Sequence, residues 1–596
     1  MTLTQQNRFL GIATPLGEDT LLLTGFQGRE EISRLFQFQL EMLSEKNDIR
    51  AKDIVGKNVT FQVKLADGSA RFFNGFVSRF VAGDEDDLGR RNYRAEVVPW
   101  LWFLTQTSDC RIFQNKTVPE IVTQIFQDLG FSDFEMKAQG AHKKWEYCVQ
   151  YRETDLNFVS RLMEQEGMFY FFRHENGKHI LVISDNKSAY VDCKEKNVAF
   201  PRDTTGVAIE DHITAWEHRY EFRPGKWAQT DYNFETPATS LMTNTPSVVK
   251  MSGMDKFEIY DYPGEYEQKS DGDGETKIRM EEVEAAHDVV QAASLCKTFT
   301  PGGKFTITEH KSDSEQGKTY VVTVIQHQAR EPMAYETGAP VEWDYRNLFS
   351  CIPDSVSFRP VRSTPKPFVQ GVQTAVVVGP KGEEIYTDKY GRVKVQFHWD
   401  REGKRDENSS CWMRVSQIHA GKGWGGIDLP RIGEEVIVDF LEGDPDRPIV
   451  TGRVYNAGCM PPFELPAEMT RSGMKSDTHK GGGYNEISMD DTAGKEQIRV
   501  HGQHNMDTVI ENDETHKIGN NRTKDIGVDE VMSIGNNQKL KVGVNKTVDV
   551  GTDHTETVGA NQSIKVGSNQ TMKVGANQAT TVAANQSNTV GSAKTE

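Results

Sequence analysis

The C-terminal part of the chain repeats with a period of eight residues, and this repeat limits the possible folds more than any other feature. One position of the repeat is β-branched ten times in succession: Ile518, Ile526, Ile534, Val542, Val550, Val558, Val566, Val574, Val582 and Val590. The next position is glycine in nine of the ten repeats, among them Gly543, Gly551, Gly559, Gly567 and Gly575. Two residues further on, Asn or Asp recurs, as in Asn545, Asn561, Asn569 and Asn577.

A period of eight excludes a stripe along one helix face, which needs a period of seven or eleven. Because eight is even, successive repeats in β-structure can point the same positions to the same face. Val and Ile favour strands, and Gly followed by Asn or Asp favours a bend, since these residues tolerate left-handed backbone. Each repeat is therefore predicted to be a short strand plus a corner.

These strands carry too few apolar side chains to form a core within one chain. Each repeat offers one or two of them, and no aromatic residue occurs from Asn485 to the end. The shortage disappears if three chains each contribute a strand to every layer of a triangular prism, so that three β-branched side chains meet on its axis. Backbone groups would then pair between chains, which leaves no lateral strand edge. The repeat predicts a homotrimer whose core is the Val and Ile column and whose corners are the Gly and Asn positions.

Two other interpretations of the repeat stay open. Low apolar content without aromatic residues is typical of disorder, although disorder requires no invariant column. A single-chain β-solenoid is the stronger alternative, but it would be barely three coils long at three repeats per coil. Calcium-binding nonapeptide repeats differ in both period and Asp content.

The charge balance argues against nucleic acid or an anionic membrane as the main partner. The chain has 69 Lys and Arg against 87 Asp and Glu, a net charge of −18, whereas such partners need basic patches. No uninterrupted apolar stretch reaches the roughly 18 residues of a membrane span. The first residues lack the pattern of a secretory signal, so we expect a cytoplasmic start. The seven cysteines are widely spaced, and we expect no metal or redox role for them.

Upstream of the repeat, the sequence predicts a small barrel and a larger mixed region. Five alternating strands between Val369 and Ala457 indicate a barrel of OB type: 372–378, 392–399, 411–418, 435–441 and 448–455. Residues 1–368 are mostly strand-like, with three predicted helices. A capping box over 117–120 starts the first helix and Gly130 ends it. The second is predicted at about 156–166, before Gly167, and the third, which is the longest, at about 275–297.

Several stretches resemble a known family. YGRVKVQFHWDREG, WMRVSQIHAGKGWGG and LPRIGEEVIVDFLEGDPDRPIVTGRVYN resemble the barrel of VgrG, the spike protein of bacterial type VI secretion systems. YRETDLNFVSRLMEQEGMFYFF resembles the hub region of that family, and the eight-residue repeat is similar to its β-prism needle. The resemblance covers nearly the whole chain. It implies a mainly β fold with some α-helix: a tandem-barrel hub, an OB-type barrel and an intertwined trimeric β-prism needle.

On this basis the chain is divided into four parts: a phage-hub-like region with two related β-barrel domains and helices at 1–368, the OB barrel at 369–458, a linker at 459–484 and the needle at 485–596. The resemblance also implies the partners. These are two further copies of the chain, an Hcp hexamer at the hub end, a PAAR-repeat protein at the needle tip, effector and possibly adaptor proteins, and baseplate components.

Three motifs could suggest chemistry, and we interpret each as structural. GKGWGG at 421–426 satisfies G-x-G-x-x-G, but the following IDLPRIG does not start a helix, so a barrel loop is expected. His501 and His504 in HGQH lie in a predicted strand region, where residues three apart face opposite sides. His398 and Asp400 share a predicted strand face but have no third ligand nearby in sequence. We therefore predict no catalytic residue, no cofactor and no metal.

The resulting hypothesis is a structural spike that punctures a target envelope and carries effectors. Phage relatives can insert a lysozyme domain between barrel and needle, and some VgrG proteins append a toxin domain after it. Here only the linker lies at the first place and the sequence stops at GSAKTE, so no enzyme is expected. The alternatives are a trimeric β-prism fibre or adhesin, and a spike with an unrecognised hydrolase activity. A spike would be cytoplasmic before firing and then secreted by the system without a signal peptide.

Overall fold

Most of the described chain is β-structure, and the predicted fold class, mainly β with some α-helix, is confirmed. The computed structural model describes residues 3–201, 211–331, 335 and 344–592. The last four residues of the predicted needle, 593–596, lie outside this part. The chain divides into two units, Met1–Asn505 and Met506–Glu596.

The first unit begins with six antiparallel strands that enclose an aromatic core. They are β1 (Leu10–Ala13), β2 (Leu22–Glu31), β3 (Gln37–Ser44), β4 (Asn58–Lys64), β5 (Ala70–Glu85) and β6 (Arg91–Val98), in the spatial order β1-β4-β5-β6-β3-β2. Strand β3 alternates buried Phe38, Leu40 and Met42 with exposed polar residues, as expected for a sheet with one covered face. The rings of Phe26, Phe61 and Phe73 lie 5.1–6.3 Å from that of Phe38.

A mixed layer follows. It contains β7 (Ser108–Lys116), α1 (Val118–Asp128), β8 (Phe134–Met136), β9 (Trp145–Thr154), α2 (Asp155–Gln165), β10 (Phe169–Glu175) and β11 (Lys178–Ser184). The predicted capping box is present, because the Thr117 amide donates to Glu120 Oε2 at 2.8 Å and the Glu120 amide donates to Thr117 Oγ1 at 3.4 Å. Helix α2 begins one residue before its predicted start. Both helices bury their apolar faces in the first core.

The second half of the hub contains β12 (Val191–Ala199), β13 (Ile213–Tyr220), β14 (Lys226–Gln229), β15 (Thr243–Pro246), β16 (Glu258–Asp261), α3 (Lys269–Glu284), β17 (Asp288–Ser294), β18 (Gly303–Glu309), β19 (Thr319–Arg330) and β20 (Asp344–Pro353). Its own core includes Phe299, Phe305 and Phe349. Strand β19 pairs with β2, so the two predicted barrel domains share one twelve-stranded sheet.

The third predicted helix is wrong in its second half. Helix α3 ends at Glu284, and Asp288–Ser294 forms β17, which lies between β13 and β20 in the sheet. Pairing on both edges and the burial of Val290 in the second core favour the strand, because tertiary contacts override a local preference for helix.

The OB-type barrel contains β21 (Gln373–Val378), β22 (Lys394–Phe397), β23 (His419–Ala420), β24 (Gly425–Gly426), β25 (Glu435–Phe440) and β26 (Pro448–Val454). Four of the five predicted strands form a sheet in the order β22-β21-β25-β26. The predicted strand at 411–418 forms only two isolated bridges, Val393 to Met413 and Val415 to Val450. These bridges nevertheless connect the two outer strands of the sheet.

The first unit ends with the antiparallel sheet β27 (Arg471–Lys475), β28 (Glu486–Asp490) and β29 (Gln497–His501). The stretch expected as a linker, 459–484, therefore contains strand β27. Residues 506–592 contain neither helix nor strand. None of the described helices combines the length and apolar character that a membrane span requires.

A charged cluster connects the hub to the OB-type barrel. Lys366 Nζ donates to Glu265 Oε1 at 3.0 Å and to Asp444 Oδ2 at 2.8 Å, and lies 3.2 Å from Asp446 Oδ2. Asp446 also accepts the amide of Val149 in β9 at 2.6 Å. One lysine thus faces three carboxylates. Burial and the charge of Asp446 raise the pKa of Asp444 to about 6, although Lys366 opposes this shift.

We predict that Lys366→Met destabilises the junction in a pH-dependent way. Removing the lysine leaves three facing carboxylates without a cation, and we expect the free energy of unfolding to fall by about 2–4 kcal/mol at pH 8. Lys366 lowers the pKa of Asp444, which is about 6 in the native fold, so its removal raises this pKa further and the variant gains more stability than the native chain from protonation as pH falls. The loss should therefore be smaller at pH 5.

The measurement is chemical denaturation of the full chain at pH 5 and pH 8. Lys404→Met, which changes an exposed lysine on the same barrel, is the matched control and should have little effect at either pH. An equal loss for Lys366→Met at both pH values would contradict the proposed role of the carboxylates.

Candidate trimerisation site

Residues 506–592 form an extended chain that bends every eight residues. The bends begin at the glycine position of each repeat, from 519 to 591, and also occur at 511–512 and 503–504. The spacing therefore starts earlier than the sequence indicated, and Ile510 occupies the β-branched column one repeat before Ile518. Residues 506–592 make no backbone hydrogen bond with one another. Their N–H and C=O groups are thus left for another chain or for water.

The predicted column is distinct from the other apolar side chains of this unit. Its ten members each expose 41–53 % of their surface, whereas the large apolar side chains outside the column, Ile510 excepted, expose 62–92 %. The column is the best-covered apolar row, yet about half of each side chain remains exposed in a single chain. Burial of apolar surface contributes roughly 25 cal/mol per Å², so the column gains most from a partner that covers it.

The bends lie at the Gly column, but they do not use the left-handed backbone that the sequence suggested. Neither Gly543, Gly551, Gly559, Gly567 and Gly575 nor the Asn positions that follow adopt left-handed backbone. A Cβ atom at any of these five glycines would meet no heavy atom within 4 Å. Within residues 506–592, no hydrogen bond is formed by the side chains of Asn545, Asn561, Asn569 and Asn577. Their corner role stays a prediction.

Side chains within the repeat meet across the corners. Gln562 Nε2 donates to Glu556 Oε1 at 3.0 Å, and Lys524 pairs with Glu530. Each pair is separated by six residues and therefore joins one repeat to the next. Gln538 Nε2 likewise donates to Met532 Sδ at 3.5 Å. These contacts are local and form no core.

The sheet β27-β28-β29 has an apolar face that is open in a single chain, and sequence reasoning missed it. Cross-strand register places five exposed side chains on this face: Met474, Ile487, Met489, Ile498 and Val500. The opposite face is polar and satisfied, since Glu486 Oε1 accepts from Arg471 Nη2 at 2.7 Å and from Ser488 Oγ at 2.5 Å. The signal was the alternation in EISMD and QIRVH, which has the period of a strand with one covered face.

The candidate polar motifs have structural roles. His501 ends β29, stacks on Tyr484 at 4.5 Å and bonds its carbonyl oxygen through Nδ1 at 3.0 Å, whereas His504 is exposed. His398 lies just after β22 and contacts Thr374 Oγ1 at 3.1 Å. Asp400 accepts the amides of Glu402 and Gly403 in a turn. No group of three or more potential metal ligands occurs within the described residues.

The glycine-rich motif at 421–426 is a hairpin. It joins β23 to β24, and the amide of Gly421 donates to the carbonyl of Trp424 at 3.0 Å. The hairpin is followed by irregular chain and not by a helix. The arrangement therefore lacks the strand, turn and helix of a dinucleotide site.

Comparison with known proteins agrees with this architecture. The family model for the phage tail baseplate hub matches residues 29–333, and that for the type VI secretion system and phage-baseplate injector OB domain matches 374–455. The spike protein VgrG1b of Pseudomonas aeruginosa is 45% identical over 531 residues, which cover 88% of this chain and 71% of VgrG1b. VgrG1a of the same organism is 44% identical over 89% of this chain and 85% of its own length. The chain belongs to the VgrG family of type VI secretion system spike proteins.

Other VgrG relatives differ in length. The actin cross-linking toxin VgrG1 of Vibrio cholerae is 36% identical over 521 residues, which are 85% of this chain but 47% of the toxin. More than half of that relative therefore lies outside the shared region.

Solved structures confirm the VgrG fold. An Escherichia coli component of the type VI secretion system, described as similar to the T4 tail proteins gp27 and gp5, has a TM-score of 0.53 at 20% identity and covers 74% of this chain and 99% of its own. A chain of a half-lidded Francisella PdpA–VgrG complex has a TM-score of 0.53 at 9% identity, and the match covers 83% of this chain and 88% of that one.

The repeat also has a match. The family model for the T4 gp5 C-terminal trimerisation domain matches residues 472–582. This range includes the open apolar sheet face and nine members of the β-branched column. The match and the two incompletely covered apolar surfaces together support a homotrimer.

We predict that Val550→Asp disrupts the trimer at neutral pH. Three carboxylates would meet on the axis, and an unpartnered buried ion costs several kcal/mol. Lys565→Asp is the matched control, because it changes an outward position of the same repeat region to the same residue. Isolated surface substitutions usually change stability by no more than about ±0.5 kcal/mol.

Light scattering and thermal unfolding of the two full-length variants measure the difference. Similar unfolding of both variant trimers would show that the faces of the prism are assigned wrongly.

Proposed function

We propose that three copies of this chain assemble into the spike of a type VI secretion system, with residues 506–592 in an intertwined β-prism needle that begins after β29 and not at 485 as the sequence indicated. The observation that carries the proposal concerns residues 506–592 of a single chain. Their apolar column is half exposed, and they form no backbone hydrogen bond with one another. In a layer of three strands, the neighbouring chains cover the apolar column. They also supply hydrogen-bond partners for the backbone N–H and C=O groups. In this arrangement the ten column residues from Ile518 to Val590 meet on the threefold axis.

The dimensions suit a puncturing device. If each repeat advances by one strand spacing of about 4.8 Å, ten repeats form a needle section of about 50 Å. Closed pairing between chains leaves no free strand edge along the needle. A column of β-branched side chains on the axis, with stiff χ1 angles, favours a rigid shaft that can transmit force along its length.

The hub end is proposed to sit on an Hcp hexamer. Each chain supplies two halves of the hub sheet, residues 10–98 and 191–353, each with its own core. The family resemblance implies that the two halves are related, so three chains would present six similar units, which suits a six-subunit tube. Baseplate components would surround this end. A PAAR-repeat protein would cap the needle tip, and effector and adaptor proteins would attach to the spike.

We further propose that the chain is a mechanical part and not an enzyme, and that it is cytoplasmic before firing and leaves the cell through the system itself. The polar motifs His398 with Asp400 and His501 with Tyr484 support turns and strand ends. Between the OB-type barrel and β28, the described chain consists of short irregular structure and β27. Effector activity would then arrive on other chains.

The first test is the mass and the secretion phenotype of the full chain. We expect light scattering or native mass spectrometry to give about three times the 67.2 kDa of the monomer. A strain without the chain should fail to release Hcp into the medium, and the native gene should restore release. A monomer at working concentration, or unchanged Hcp release in its absence, would contradict the proposal.

The second test is the absence of catalysis. Purified protein should not hydrolyse peptidoglycan, phospholipid or nucleic acid, because the polar motifs that the sequence singles out support turns and strand ends. Turnover that persists through a change of expression host and purification route would replace this assignment with a hydrolase spike.

A further inference from the structure

The hairpin at 419–426 projects large apolar side chains into solvent. Trp424 at its tip is 70% exposed, and Ile418 and Ile427 at its base are 82% and 75% exposed. Three large apolar side chains on one short hairpin form an apolar tip of the kind that marks an interaction site. Tryptophan in particular is enriched among residues that dominate binding energy.

The hairpin is held in one conformation before it meets a partner. The Trp424 ring lies across Gly421, where an added Cβ would come within 2.2 Å of the ring, and Gly425 has a φ of +135° next to the His419 carbonyl. At the base, the Asp428 amide donates to Gln417 Oε1 at 2.9 Å, and Arg453 of β26 pairs with Asp428. A preorganised apolar tip loses little conformational freedom on binding.

The same end of the barrel holds the segment that leads into the trimerisation region. Arg431, which follows the hairpin, donates through Nη2 to the carbonyl of Asp477 at 2.8 Å. The amide of Lys480 donates to Glu384 Oε2 at 2.9 Å, and its ammonium group lies 2.8 Å from Glu383 Oε2. Asp477 and Lys480 lie inside the range matched by the trimerisation domain, 472–582. The barrel that carries the hairpin therefore contacts the segment with which the matched range begins.

We propose that the hairpin packs against a neighbouring copy of this chain in the homotrimer. The inference rests on the proposed function, because it requires the trimer. A second copy is the occupant that fits, since the chain that follows the hairpin contacts Asp477, inside the range matched by the trimerisation domain. An apolar hairpin on a barrel that contacts the trimerisation domain is best covered by the chains that form that domain. Each copy would bind its neighbour through Trp424 and receive the hairpin of the other neighbour.

The test places a photo-crosslinking amino acid at position 424 of the full-length protein. We expect illumination to produce dimers and trimers of this chain, with the adduct mapping to the barrel or to residues 459–501 of the second copy. The control position is Lys404, which is exposed on the same barrel in the loop whose Arg401 contacts Asp109 of its own hub at 2.5 Å. Crosslinking at 404 should produce no chain-to-chain adduct.

Light scattering of the same samples distinguishes loss of the hairpin contact from loss of the trimer. A trimer without any adduct from position 424, or with an adduct only to another protein, overturns the hairpin contact and leaves the spike intact. Absence of a trimer overturns the proposed function itself. As a second measurement, Trp424→Ser should accelerate subunit exchange at least tenfold relative to the native chain and to Lys404→Ser. Unchanged exchange in a folded Trp424→Ser trimer also overturns the contact.

Discussion

The structure depends on one constraint, which is that the backbone and the apolar column of residues 506–592 cannot be satisfied by one chain. The hub buries large aromatic residues in cores of its own, and each of its strands finds a partner within the chain. The repeat finds none, and its β-branched column remains about half exposed. Because unpaired backbone groups and open apolar surface both disfavour a compact monomer, folding of this unit is coupled to assembly. The chain therefore combines a first unit that forms its cores alone with a second unit that forms a needle only when chains associate.

This difference between the hub and the repeat assigns a mechanical role to the OB-type barrel and to the sheet β27-β28-β29. The OB-type barrel is attached to the hub by the Lys366 cluster and by the contact of Arg447 with Asp231 at 2.9 Å, and it is followed by a sheet whose apolar face is open. Charge pairs in the junction are directional, so they hold the barrel in one orientation, whereas apolar faces tolerate sliding until shape complementarity fixes them. A spike that transmits axial force needs orientation first and then a continuous shaft.

The sequence allowed prediction of those elements whose causes are local. Helix α1 follows from a capping box and an apolar stripe, and the repeat follows from a column of β-branched residues whose period excludes a helix. Strand β17 was predicted as helix, because its identity is set by the neighbours β13 and β20 and not by its own residues. The segment 411–418 was predicted as a strand, yet two bridges are all that it forms. The open face of β27-β28-β29 was missed since glycines and prolines around it indicated a linker, although its alternation was visible. Left-handed corners were predicted from composition alone, and the bends are made without them.

The same constraint favours an order of assembly. Bringing three flexible segments together has an entropic cost that grows with their separation, and prior association of attached domains lowers this cost by raising the effective concentration. The first unit forms its cores within one chain, and in each copy the open apolar face of β27-β28-β29 lies just before the beginning of the repeat in sequence. Once these surfaces meet, the first layer of the column is placed, and each following repeat adds strands to an edge that already exists. The column would therefore close from Ile510 and Ile518 toward Val590.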